Sequence, residues 1–206
     1  MLRWLAIVVF VCGVPLYGVA DTRPTVLVLG DSLSAAYGIA QGDGWVTLLQ
    51  NRLHERGFPH AVINASISGE TTRGGLTRLP KLLAAEHPEL VVIALGSNDG
   101  LRGTPLEVMK RQLAEMVTLS QAADARVLLI GNRLPPNYGM AYTDAFQQTF
   151  REVADAYDVP LIPFMLDGIA TDDALLQADR LHPTAAAQSL LLDRIGEAVE
   201  KLLAAP

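Results

Sequence analysis

The sequence has 206 residues, 50% of them hydrophobic, with 22 acidic against 16 basic side chains and a formal net charge of −6. That length and composition fit one domain with a full-sized core, and no repeat or low-complexity stretch interrupts it. The acidic balance, without any basic run, argues against a nucleic-acid partner. A single cysteine, Cys12, excludes a disulfide framework and a cysteine metal site.

Residues 1–20 stand apart from the rest. Arg3 precedes the apolar run Leu5 to Val14, and Gly18-Val-Ala20 supplies small residues for cleavage. The run is short for a membrane span and reads as a secretory signal peptide. Residues 21–206 are then expected to form a single exported domain, periplasmic or secreted, with no stable membrane anchor. Loss of Arg3 with the signal leaves it at −7.

Thr25-Val-Leu-Val-Leu-Gly30 is a β-branched apolar run bounded by Pro24 and Gly30, as in a strand buried on both faces. Trp45 to Leu53 has helical spacing and stops near Gly57. Ala61 to Ile67 reads as a second strand and Thr72 to Ala85 as a helix despite Pro80. Leu90 to Leu95 is a third strand, ending in Gly96-Ser-Asn-Asp-Gly100. Pro105 suits the first turn of a helix reaching about Ala123. Arg126 to Ile130 is a fourth strand, followed by a loop over Asn132 to Tyr138. A helix spans about Tyr142 to Tyr157, Val159 to Pro163 is a weaker fifth strand, and a last helix runs from about Thr184 to Leu203. Strands alternating with helices predict right-handed βαβ units and a parallel sheet of about five strands. The fold class is therefore α/β, a three-layer α/β/α domain of flavodoxin-like order.

Parallel strands bring their carboxyl ends to one rim, where Ser32, Gly69 and Asn98 follow the first three strands. Asp179 and His182, ahead of the last helix, can reach the same rim. A serine, a histidine to take its proton, a carboxylate to hold the histidine and donors for an oxyanion are the parts of acyl transfer. On residue type alone Ser34, Ser66, Ser68 and Ser97 rival Ser32. His54, His60 and His87 read as structural or solvated, since only His182 has a carboxylate three residues earlier on a rim loop. Asp31 reads as a turn former. There is no Gly-x-Ser-x-Gly elbow, no Gly-x-Gly-x-x-Gly phosphate loop and no metal-ligand spacing.

Gly30-Asp-Ser-Leu33, Ser68-Gly-Glu-Thr-Thr72, Gly96-Ser-Asn-Asp99 and Asp179-x-x-His182-Pro183 together resemble the four ordered blocks of the GDSL, or SGNH, hydrolases. The likeness spans essentially all of the chain after the signal. Asn64 to Gly69, Asn98 to Gly103 and Pro136 to Gly139 resemble the subgroup of multifunctional periplasmic esterases. Ser97 departs from that subgroup, which often has glycine there. The resemblance implies an SGNH-hydrolase fold and a catalytic set of Ser32 as nucleophile, His182 as general base and Asp179 as its orienting acid. It also implies an oxyanion hole from the Ser32 and Gly69 N–H groups and the Asn98 amide, with no cofactor and no metal. The implied reaction is hydrolysis of carboxylic esters and thioesters through an acyl-Ser32 intermediate, with arylesterase, lysophospholipase and acyl-CoA thioesterase activities.

Leu101, Leu134, Pro135 and Tyr138, with Met140, Leu166 and Ile169, supply apolar rim residues suited to a medium or long acyl chain on a small-molecule or lipid ester. A monomer is expected. The alternatives are a carbohydrate O-acetyl esterase using the same residues and a non-catalytic periplasmic binding module.

Overall fold

The computed structural model describes residues 23–205, so the signal peptide read at residues 1–20 lies outside the described residues. Five strands form one sheet: β1 (Thr25–Gly30), β2 (Ala61–Asn64), β3 (Leu90–Ala94), β4 (Arg126–Ile130) and β5 (Leu161–Ile162). All neighbours are parallel and the order is β2-β1-β3-β4-β5. Among the described residues the α-helices are α1 (Trp45–Glu55), α2 (Thr72–Glu86), α3 (Ser97–Leu101), α4 (Leu106–Ala122), α5 (Met140–Tyr157) and α6 (Gln188–Ala204).

Side chains alternate across a strand, and the two faces of this sheet bury two separate cores. Val26, Val28, Leu90, Val92, Leu128 and Ile130 pack against Trp45, Leu49 and Leu53 of α1 and Leu191, Ile195 and Val199 of α6. Leu27, Leu29, Val91, Ile93, Val127 and Leu129 face Leu79 of α2, Met109, Leu113 and Met116 of α4, and Phe146 and Phe150 of α5. Because both faces are covered, the central strands carry continuous apolar runs rather than alternating ones. The result is the three-layer α/β/α arrangement.

Several boundaries differ from the sequence reading. β5 is only Leu161–Ile162, and α5 begins at Met140. β2 ends at Asn64, not Ile67. There the Asn64 side chain accepts the Ser66 N–H at 3.1 Å and donates to the Ser34 carbonyl at 2.8 Å, which turns the chain off the sheet edge. The Gly96 to Gly100 segment, read only as the end of the third strand, lies mostly in the one-turn helix α3. The last helix opens with a 3-10 turn over Ala185–Ala187 before α6 begins.

Candidate active site

β1 ends at Gly30, and the Asp31 carboxylate caps the turn by accepting the Leu33 N–H at 3.0 Å. Ser32 thereby stands beyond the strand's carboxyl end. His182 reaches it from the loop ahead of α6, 150 residues away, with Nε2 at 2.8 Å from Ser32 Oγ. On the other side of the ring, Nδ1 is 2.6 Å from Asp179 Oδ2. Asp179 Oδ1 accepts the backbone N–H groups of Leu181 and His182, both at 3.0 Å, so one carboxylate organises the loop and the imidazole together. Burial opposes ionisation of Asp179. The two backbone N–H groups, and then His182, outweigh it and hold the group down at about 2. An imidazole set between a hydroxyl and an ionised carboxylate can accept the hydroxyl proton while its own Nδ1–H stays fixed.

Two further strand ends bring donors to the same rim. Gly69 follows β2 with φ +79, a conformation that glycine adopts without strain. The N–H groups of Ser32 and Gly69 have no hydrogen-bond partner among the described residues. Asn98 lies in α3 and its Nδ2 donates to the Glu70 carbonyl at 3.0 Å and to Asp31 Oδ2 at 3.2 Å. Neighbouring Asp99 is buried and bonds Thr72 twice, to its N–H at 2.8 Å and its hydroxyl at 2.7 Å. α3 and the start of α2, which follows the Gly69 turn, are thus fastened together.

Asp31 is 1% exposed. Burial pushes its carboxyl up to about 6, opposed first by the Leu33 N–H and then by His182, Ser97 and Asn98. The sequence reading of Asp31 as a turn former is right as far as it goes; its bond to Asn98 is the part that was missed.

Ser32, Gly69, Asn98 and His182 open onto a crevice of about 990 Å³. Its walls include Leu101, Leu134, Pro135, Met140, Phe164, Leu166 and Leu176, with Tyr37 beside His182. Tyr138, read as a wall residue, is not one: it ends a 3-10 turn over Pro136–Tyr138, and its hydroxyl donates to the Leu101 carbonyl at 3.2 Å. Ile169, also read as a rim residue, is buried in the core on the α1 and α6 side. Phe164 and Tyr37 were not singled out from the sequence. Each is a lone aromatic in a loop, with no periodicity or motif to mark it. Among the described residues no group of three or more His, Cys, Asp or Glu side chains could hold a metal ion.

Comparison with known proteins gives the same picture. Residues 28–190 match the model of the GDSL-like Lipase/Acylhydrolase family. The chain is 49% identical to Esterase TesA of Pseudomonas aeruginosa over 87% of this chain and 89% of that one. It is 38% identical to Thioesterase 1/protease 1/lysophospholipase L1 of Escherichia coli K12, over 89% and 87%. Among solved structures it resembles the psychrotrophic esterase EstA of Pseudoalteromonas sp., in a form inhibited by monoethylphosphonate. That likeness has a TM-score of 0.84 and 43% identity, covering 88% of this chain and 99% of that one.

Proposed function

Because the chain belongs to the GDSL-like lipase/acylhydrolase family and is an ester and thioester hydrolase, we propose that it works through an acyl-Ser32 intermediate. The observation that carries this reading is the unbroken line from Ser32 Oγ through His182 to Asp179, at 2.8 and 2.6 Å.

Ser32 Oγ attacks the acyl carbonyl as its proton passes to His182 Nε2. Asp179, ionised, keeps the Nδ1–H in place and stabilises the imidazolium that forms. The carbonyl oxygen, now carrying the charge, is received by the free N–H groups of Ser32 and Gly69 and by Asn98 Nδ2. The last of these turns toward it a proton now directed at Asp31. His182 then hands its proton to the leaving alcohol or thiol. Water enters and attacks the acyl carbon as it gives a proton to the same nitrogen, and His182 returns that proton to Ser32 Oγ as the acid leaves.

The substrates are esters and thioesters of medium or long acyl chains. Support for this comes from the crevice walls: Leu101, Leu134, Pro135, Phe164, Leu166 and Leu176 offer hydrocarbon to an acyl chain. The relatives' hydrolase names set aside the binding-module alternative. Export to the periplasm follows from the signal-like residues 1–20, and no helix of the described residues is long and apolar enough to cross a membrane.

A fluorophosphonate tests the intermediate. It should label the peptide bearing Ser32, and Ser32→Ala should lower kcat by roughly 10⁴–10⁶. A label on the peptide of Ser66, Ser68 or Ser97 would overturn the assignment.

A further inference from the structure

The His182 imidazole is held from behind by two residues that lie outside the line to Asp179. The Tyr37 ring packs against it, with ring centroids 4.5 Å apart and planes inclined by 42°. The Tyr37 carbonyl accepts a hydrogen bond from Gln177 Nε2 at 2.8 Å, and the same nitrogen donates to the Pro183 carbonyl at 3.0 Å. The Gln177 N–H in turn donates to the His182 carbonyl at 2.7 Å. The circuit closes: ring to ring, Tyr37 carbonyl to Gln177 side chain, Gln177 backbone to His182 backbone.

Nothing about folding alone asks for this arrangement. Tyr37 is 50% exposed, so its ring buries little, and its hydroxyl bonds no described residue. Gly38 follows with φ +74, which favours glycine, and a Cβ there would stand 2.1 Å from Gln177 Oε1, so a larger residue would displace that amide. The loop of residues 176–184 that carries His182 has no regular helix or strand beyond a single antiparallel bridge, Leu176 to Pro183. Asp179 is itself 40% exposed. Hydrogen bonds at the two ring nitrogens, to Asp179 and to Ser32 Oγ, fix the tautomer of the imidazole but leave it free to tilt about the line between them. A ring against its face removes that freedom.

We propose that Tyr37 and Gln177 are positioning residues, a clamp that ties the loop after β1 to the loop before α6 and keeps His182 Nε2 on Ser32 Oγ. The proposal rests on the acyl-Ser32 reading. It predicts that the aromatic ring, not the phenol, is what matters at position 37, and that two amide protons are what matter at position 177.

The test uses Tyr37→Phe, Tyr37→Leu and Gln177→Leu in the full protein, assayed on a soluble p-nitrophenyl ester. The downfield proton resonance of the hydrogen bond between His182 Nδ1 and Asp179 is recorded alongside, with thermal unfolding as control. Displacing a reacting group by a fraction of an ångström to 1 Å costs up to ~10²-fold, so Tyr37→Leu and Gln177→Leu should lower kcat roughly 10–100-fold with KM little moved. Both should broaden or shift the downfield resonance. Tyr37→Phe should keep wild-type kcat and the wild-type resonance. Wild-type kcat in Tyr37→Leu, or a loss in Tyr37→Phe equal to that in Tyr37→Leu, would overturn the clamp. So would a loss that tracks only the folded fraction while the resonance stays put. Should Gln177→Leu fail to fold, Tyr37→Leu, a half-exposed substitution, decides alone. Failure of the acyl-Ser32 reading shows separately, in fluorophosphonate labelling of the wild type.

Discussion

Asn98 Nδ2 lies 3.2 Å from Asp31 Oδ2, so the residue before the proposed nucleophile already holds the amide proposed for the oxyanion. The second partner of that nitrogen, the Glu70 carbonyl at 3.0 Å, comes from the turn after β2. Both Nδ2 protons are thus engaged: the bond to the Glu70 carbonyl holds the amide at the rim, and the proton on Asp31 is the one that turns to the oxyanion. Asn98→Ala should therefore cost about 10²–10³ in kcat while KM changes little. Steady-state kinetics with a thermal melt check this. A variant that melts far lower yet keeps its activity per folded molecule would make Asn98 a turn residue only.

Asp31 gives a pH dependence whose sign can be worked out. Its carboxyl sits at about 6 in the fold against 3.8 in an open chain, so between those values the folded protein binds more protons than the unfolded one. Stability must then fall as pH rises from about 4 to about 6, by roughly 2–3 kcal/mol for this group alone. Denaturant unfolding across that range should show the decline, superposed on the other carboxylates. Asp31→Asn should remove it, because the substituted side chain does not titrate. An unchanged slope in Asp31→Asn would place the carboxyl in contact with water.

Most of the fold is legible in the sequence for one reason. The central strands are buried on both faces, so β1 and β3 appear as unbroken apolar runs, and their carboxyl ends must share a rim. That placement lets Ser32, Gly69 and Asn98 converge, although only the family resemblance singles out Gly69 and Asn98. α3 was not legible, because Gly96-Ser-Asn-Asp-Gly100 is a turn composition. Its helical turn is held from outside, by Thr72 on Asp99. Tyr37 and Gln177 were not legible either. Each matters through a contact 140 residues or more away in sequence or through a backbone carbonyl, and neither leaves a periodic or motif trace. Tyr138 misled for the opposite reason: it sits among wall residues in sequence, but a 3-10 turn aims it at the Leu101 carbonyl.

Asp179 and His182 should fail in different ways. His182 is the general base, and His182→Ala should remove most of the activity. Asp179 is held at about 2 and so remains the charged partner of the pair. Its lowered value means a stabilising contribution present above the ordinary carboxylate range and lost only as pH falls through about 2. Asp179→Asn keeps the shape but favours the wrong tautomer, and should lower kcat by up to roughly 10⁴. Steady-state kinetics of the three proteins, with thermal unfolding as control, check both losses. An Asp179→Asn variant with wild-type kcat would remove the carboxylate from the mechanism.

Chain-length preference separates a lipid or aryl ester hydrolase from a carbohydrate O-acetyl esterase, since both would use the same Ser32, His182 and Asp179. Leu101, Leu134, Pro135, Phe164, Leu166 and Leu176 offer hydrocarbon to an acyl chain, while Asn132, Arg133, Asn137, Thr171 and Arg180 of the same crevice are the groups a sugar would have to use. Each methylene buried against such a wall is worth about 0.8 kcal/mol, so kcat/KM should climb by up to roughly fourfold per carbon. The climb must stop when the crevice, about 990 Å³ and open at its mouth, is filled. A series of p-nitrophenyl esters from acetyl to palmitoyl measures this directly, and the maximum should fall at a medium or long chain. A maximum at acetyl, with a steep fall by butyryl, would mean that the crevice does not take the acyl chain. The sugar ester would then become the better reading.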